Sequence, residues 1–421
     1  MATAKKAKPT DIFNMVAKIR SFLIPFVTIC IILAVAAGVI AYGRGYRFDF
    51  SRGSLKATGL LVVHSDPTGA QILLDGKLNS ATAATLNLLP GWYTVTVSKE
   101  GFQSWSQRVK VQGEVVAHAD ALLIPSNPSL TAITASGVAN PVLSPDGTKL
   151  AYVIPVPSGI QTNGTVLTTT PGIWVLDVVD KPLGLNRDAR QITKSTAVDF
   201  SKATLQWSPD SKQIFATIGS KTTSVSYLLD TDKLNDSLVA TQDIKTLQSQ
   251  WADLATQRDK EKLATLPLDL VKVATTSMGF RSFSPDETKI LYEATASATI
   301  PTIMNPPLIG SNPTQEQRTL ERGAVYIYDI TEDKNFVIKV PFSLAASQLL
   351  QWLPTSRQLL LVGKDKIEIL DYDGTNQRTA YSGPFWDSFA VPWASGGKIV
   401  ILTNLNPSAS TINNLYAVNL R

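Results

Sequence analysis

The chain has 421 residues, 44% of them hydrophobic and 17% charged, with one cysteine and a net charge of +5. That length gives two or three domains, and a single thiol excludes an intrachain disulfide, so an exported part must be held by packing alone. Residues 1–56 hold nine basic and two acidic side chains, a net of +7, which leaves −2 for residues 57–421. The near-neutral remainder offers no electrostatic case for binding nucleic acid.

Phe22 to Tyr42 is a run of 21 residues without a charge, long enough to cross a hydrocarbon core of about 30 Å as a helix. Pro25 falls in its first turn, where a missing N–H costs little. Lys5, Lys6, Lys8, Lys18 and Arg20 precede it against Asp11. By the positive-inside rule residues 1–21 are a basic cytoplasmic tail, and the rest is exported from a single-pass anchor in the cell membrane. Arg44, Arg47 and Arg52 follow closely, so the charge bias is modest. Ala34-Val35-Ala36 also fits a cleavage site. A retained anchor is expected, because the apolar run continues to Tyr42 and the region before it is long for a signal peptide. Cys30 reads as a membrane-buried thiol, since Val27-Thr28-Ile29 makes a poor lipobox. Residues 43–56 read as a short Gly/Arg linker.

A small β module is expected over residues 57–125. Asp66-Pro67-Thr68-Gly69 makes a turn, then Ala70, Ile72 and Leu74 alternate on one strand face. Asp75-Gly76 signals a hairpin. Leu89-Pro90-Gly91 opens a second strand with Tyr93, Val95 and Val97 on one face, before Gly101-Phe102. The stretch resembles the PEGA domain, which implies a small β-sandwich of bacterial surface and envelope proteins that serves as a spacer or binding module. Pro125-Ser126-Asn127-Pro128 ends it.

The remainder repeats itself. Leu143-Ser144-Pro145-Asp146-Gly147 recurs as Trp207-Ser208-Pro209-Asp210-Ser211 and Phe283-Ser284-Pro285-Asp286-Glu287. Drifted copies begin at Trp352-Leu353-Pro354 and Trp393-Ala394-Ser395. Each copy reads as strand, tight turn, strand, with Pro fixing φ and Asp capping its own backbone. A third strand follows each copy, such as Ile173–Asp177 or Val325–Asp329. With a fourth strand, each unit is one propeller blade. The Ser-Pro-Asp-Gly copies resemble the WD40-like repeats of TolB-type β-propellers, which implies a propeller over residues 130–421. Five units count five blades; a sixth, degenerate one would have to lie within residues 231–275. Leu130–Thr134 reads as an orphan strand that pairs with Tyr416–Leu420 and closes the ring. The fold class is thus all-β: an N-terminal transmembrane helix, a PEGA-like β-sandwich, and a propeller with one helical insertion.

That insertion spans residues 236–264. Ile244, Leu247, Trp251, Leu254 and Leu263 give it an amphipathic stripe, expected to dock on the propeller's own side. It follows a third strand and should emerge on the face of the Ser-Pro-Asp-Gly turns. Residues 155–171 and 295–324 join second to third strands and should emerge on the opposite face.

Catalytic signatures are missing from the sequence. His64 and His118 have no Cys or His at ligand spacing. No Gly-x-Ser-x-Gly elbow and no phosphate-binding glycine loop occur. Asp146, Asp210 and Asp286 read as turn residues, one per blade, and Trp174, Trp207, Trp352 and Trp393 as packing between blades. No catalytic residue, metal or cofactor is expected. The long loop 295–324 is apolar, and such loops are uncommon unless they pack or bind. Ile303, Met304, Leu308 and Ile309 in it, with Phe385 and Trp386 in the loop Ser382–Phe389, are the candidate partner contacts. The expected function is a non-enzymatic envelope scaffold that binds a protein or cell-wall glycan. The alternative is a propeller enzyme or sensor acting on envelope glycans or peptides, for which channel carboxylates would be the remaining route. The chain stops after the last blade, so no appended hydrolase domain is expected. A tail of this length is too short for a kinase or receiver domain.

Overall fold

The computed structural model describes residues 9–43, 46–49, 54–156, 170–180, 189–196, 198–219, 224–340, 349–386, 388–405 and 412–421. Helix α1, Pro9–Gly43, contains the apolar run and carries Pro25 inside it. Its segment Leu23–Gly43 is long and apolar enough to cross a membrane. Half of the expected linker 43–56 is instead strand, Tyr46–Asp49 paired with Ser54–Ala57, with Tyr46 opposite Ala57. Most of the loop expected at residues 155–171 lies outside the described residues.

The next unit is a two-sheet sandwich. One sheet orders Ala84–Leu88, Gly59–Asp66 and Val116–Leu122; the other orders Lys77–Ala81, Gln71–Leu74, Gly91–Ser98 and Trp105–Val111. Alternation decides what is buried: Ala70, Ile72, Val95 and Val97 are fully enclosed, as their spacing requires. Asp75 and Gly76 both take positive φ, 49° and 79°, the hairpin geometry that Asp-Gly favours. Gly59–Asp66 and Val116–Leu122 pair in parallel, which local patterning cannot show because fifty residues separate the two strands.

Five sheets follow. The first orders Ala139–Leu143, Lys149–Ile154, Gly172–Asp177 and Arg190–Lys194. The second has three strands, Thr204–Trp207, Gln213–Gly219 and Ser224–Asp230. The third orders Met278–Phe283, Lys289–Ala294, Val325–Asp329 and Lys334–Ile338, and the fourth Leu350–Trp352, Gln358–Val362, Lys366–Asp371 and Arg378–Ser382. The fifth joins Ala390–Pro392, Lys398–Thr403 and Asn414–Asn419 to Leu130–Ala132 from the front of the ring. Leu130 lies opposite Val418 and Ala132 opposite Tyr416, so the sheet that ends the chain is completed by the strand that begins the propeller. This closure removes two exposed edges.

Neighbouring blades share apolar cores: first with second through Val175 and Leu205, third with fourth through Ile327 and Leu359, fourth with fifth through Ile369 and Ile399. Leu150 and Val400 join the fifth to the first. Between the second and third, the helical insertion does this work. Helix α2, Ile244–Leu263, sets Trp251 against Phe215 of the second blade, ring centroids 4.8 Å apart. Its last residue, Leu263, enters the core of the third blade with Leu270 of helix α3, Leu268–Ser277. Arg258 donates to the Pro209 carbonyl and Lys262 pairs with Glu287, so α2 ties two adjacent turns together. The stripe therefore docks on the propeller, with Trp251 and Leu263 its buried members. A lone bridge, Tyr227 to Ala240, stands where the second blade would have its fourth strand.

The turns hold themselves in the way their sequence implies. Ser144, Ser208 and Ser284 hydroxyls donate to Asp146, Asp210 and Asp286, at 2.5, 2.6 and 2.6 Å. The Asp146 N–H reaches Ser211 Oγ, and the Asp286 N–H reaches Ser356 Oγ, each in the next turn along the chain. Gly172 sits at φ +147° where a Cβ would overlap the Thr193 carbonyl. Gly172→Ala is therefore expected to cost about 1–3 kcal/mol and to loosen the outer strand of the first blade, read as a lower midpoint in thermal unfolding.

Candidate functional site

Two concavities bear on function, one in the ring of blades and one at the seam with the sandwich. The first is a funnel of about 1090 Å³ on the turn face. Every blade contributes the end of its innermost strand or the turn after it: Leu143, Gln206, Phe283, Gln351 and Pro392. Trp207 and Trp352 also line it, and their indole N–H groups donate to the Val142 and Ser282 carbonyls of the preceding blade. They are 6% and 8% exposed, so each is a blade-to-blade tie with one edge showing in the funnel. Lys262 of α2 and Glu287 stand at the rim. The wall mixes apolar and aromatic side chains with polar ones, among them Asp146, Gln206, Gln351, Lys262 and Glu287, apolar surface with convergent polar groups as recognition pockets have.

The second is a cavity of about 350 Å³ between the sandwich and the propeller. It exists because the sandwich docks on the fourth blade, while the third blade and its long loop close the other side. Trp105, 2% exposed and part of the sandwich core, donates its indole N–H to Asp371 at 2.9 Å. Gln103 donates to the Thr379 carbonyl, and the Ser106 N–H to Asn376. Arg378 donates to the Leu122 carbonyl, while Arg357 pairs with Asp120 and Arg421 with Asp66. Of the carboxylates around the cavity, Asp371 and Asp120 bridge the seam, and the others bond within the propeller. Asp373 accepts from Asn312, Thr314 and Thr375, and Glu332 from the Asn312 N–H. Burial pushes Asp371 up to about 6, with the neighbouring Asp373 adding to it against the donors Asn376, Trp105 and Gln358. Burial likewise raises Glu332. Among the described residues no group of three or more His, Cys, Asp or Glu is placed to hold a metal ion.

The candidate contacts separate into three settings. Ile303 and Met304 use their N–H groups on Asp333 Oδ2, at 2.7 and 2.8 Å, and Ile303 packs on the third blade's core. Leu308 and Ile309 are 50% and 63% exposed. Phe385 packs on Tyr381 at the opposite face, while Trp386 beside it is 52% exposed. The loop 295–324 does leave from the far end of its blade, but it doubles back. Ile300 bonds to Arg318, Gln317 to Asn335, and Ile303 reaches the turn at Asp333. Its apolar residues therefore lie on the turn face, away from Trp386. Sequence reasoning missed the funnel positions and the Trp105–Asp371 seam. The funnel had a usable signal: its wall is the residue before each Ser-Pro turn and its neighbours.

A single apolar helix, a small sandwich and a closed run of five sheets define a propeller protein with an N-terminal apolar segment. Residues 58–127 match the family model of the PEGA domain. No curated protein is similar to the chain at a significant level. Among solved structures it is similar to TolB from Acinetobacter baumannii, 13% identical, TM-score 0.22, over 78% of this chain and 59% of that one. The chain thus spans less than two thirds of that relative. It is also similar to a TolB-assigned protein from Agrobacterium tumefaciens, 13% identical, TM-score 0.20, over 87% and 99% of the two chains. A third is an acylaminoacyl peptidase from Pyrococcus horikoshii, 11% identical, TM-score 0.17, over 64% and 35%. Likeness at these scores carries no structural argument; the propeller stands on its five sheets and their closure.

Proposed function

We propose that this protein is a membrane-anchored envelope scaffold that presents its propeller to a protein or cell-wall glycan. The supporting observation is the funnel, a wide concavity of mixed polar and apolar lining to which all five sheets contribute and in which Trp207, Trp352 and Phe283 show. Aromatic edges of this kind suit a peptide side chain or a sugar face. The PEGA domain is a rigid spacer in this reading, because the seam from Asp66 to Arg421 and from Trp105 to Asp371 fixes it to the blades. No catalytic role is proposed, since the clustered carboxylates are taken up by structural bonds, Asp371 with Trp105 across the seam and Asp373 with Asn312, Thr314 and Thr375 inside the propeller. The proposed anchor is α1, with its N-terminus in the cytoplasm and the folded part outside. Of the six candidate contacts, Trp386 with Phe385 forms a secondary one on the opposite face.

A photo-crosslinking residue at Gln206, which is exposed in the funnel, tests this in the full-length protein in its native envelope. Adducts should form at Gln206 and fall when Phe283→Ala is added. Adducts at Trp386 with none at Gln206 would move the binding face to the other side and end the funnel proposal.

A further inference from the structure

One end of the PEGA sandwich carries an unusual concentration of exposed apolar side chains. Gly59 pairs with Leu88 there, Leu60 with Val116, and Gly91 with Val111. Leu89, Trp92 and Val116 at this end are 41%, 46% and 43% exposed. The propeller adds to it. Gly310 of the long loop donates to Gln112, and its backbone packs so closely on Val115 that a Cβ would stand 3.0 Å from Val115 Cγ1. That contact delivers Leu308 and Ile309, two of the more exposed large apolar residues outside α1, to the same end. Strand Val116–Leu122 rises about 20 Å from here before it reaches Arg378 of the blades. The loop tip therefore crosses most of the sandwich to get here.

The end is also where the chain leaves α1. Gly43, its last residue, shares a hollow with Thr58, Leu60, Glu114 and Val116. Tyr46 donates its hydroxyl to Glu114 at 2.9 Å and pairs with Ala57, so the exit of the helix is tied to the sandwich. Arg108 and Lys110 sit over Trp92, at 4.8 and 5.8 Å from its ring. A tryptophan with cationic neighbours, beside short apolar tips, is the composition of a headgroup-level contact.

We infer that this end of the PEGA domain and the tip Leu308–Ile309 form a bilayer-facing footprint, resting on the lipid around the protein's own anchor. Its occupant is the interfacial zone of an anionic phospholipid membrane. The inference rests on α1 being a retained anchor, as proposed above. It also gives the long loop a purpose: blades held to the PEGA domain at one end and to lipid at the other cannot swing on the helix.

The chain's single cysteine makes the test direct. With Cys30→Ser, an environment-sensitive dye is placed by Ile309→Cys, by Leu89→Cys, or by Val225→Cys. Val225 is 43% exposed at the opposite end of the second blade. Full-length protein enters vesicles of phosphatidylcholine and phosphatidylglycerol, with or without lipids bearing a nitroxide high on the acyl chain. Dye at Ile309 and Leu89 should shift to the blue and lose emission to the nitroxide, and dye at Val225 should do neither. Equal behaviour at all three positions overturns the footprint. So does a shielded Ile309 that ignores the nitroxide and depends on protein density, which would mean a second copy. Alkaline carbonate washing separates the two levels. Release of the chain defeats the anchor itself, whereas a retained chain with an unquenched Ile309 defeats the footprint alone.

Discussion

Replacing Trp105 by alanine is expected to split one cooperative unfolding transition into two and to cost about 3–5 kcal/mol. The ring is 2% exposed and packs with Val95, Val97 and Val109 in the PEGA core. Its N–H is simultaneously a donor to Asp371 in the fourth blade. Truncation therefore leaves a cavity in one domain and removes a seam contact to the other. Trp105→Phe separates the two effects. It keeps most of the apolar volume and deletes the donor, leaving Asp371 short of one partner at a cost of about 1–3 kcal/mol. Differential scanning calorimetry of the detergent-solubilised protein reads both. Alanine should give a separate low-temperature PEGA transition, and phenylalanine a single transition at lower temperature. A single unshifted transition for Trp105→Phe would mean that the indole N–H contributes nothing to docking.

The repeat was the most legible part of the chain because a turn is local chemistry. Ser, Pro and Asp within four residues decide the backbone, and the observed Ser144–Asp146 and Ser284–Asp286 bonds are that chemistry. Ring closure could also be inferred, since a strand with no partner before the first repeat and a blade lacking its fourth strand after the last one leave each other as the available partner. What could not be read depends on contacts between distant residues. Trp105 and Asp371 are 266 positions apart, and nothing near either announces the other. The long loop shows the same limit from the other side. Its apolar content marked it as packing or binding. Its direction, however, is set by Asp333 capturing the Ile303 and Met304 N–H groups and by Arg318 bonding to Asp333. That capture folds it onto the turn face, not the face from which it departs.

Acidification supplies the second large effect, and its sign is opposite to the usual carboxylate case. Asp371 titrates near 6, above its ordinary 3.8, because burial and Asp373 disfavour its charge. The folded state therefore binds a proton that the unfolded state has already lost between these values. Stability from this group is greatest below about 4 and falls as pH rises through about 6. The full shift corresponds to about 3 kcal/mol at 1.36 kcal/mol per unit, of which about 1 kcal/mol lies between pH 7 and pH 5 by the same relation. The turn carboxylates run the other way. Burial opposes the charge of Asp146 and Asp286, but hydrogen bonds from Ser144, Thr148, Ser284 and Thr288 outweigh it and lower both. Their contribution is present above about 4 and is lost in stronger acid. Stability of the whole fold should thus peak between the two, at about pH 4–5, read as the midpoint of thermal unfolding. Asp371→Asn keeps an acceptor for Trp105 and Asn376 and removes the buried charge. It should raise stability at neutral pH by about 1–2 kcal/mol and flatten the profile between pH 5 and pH 7, while the fall in stronger acid remains. An unchanged slope in that variant would place the titration on another group.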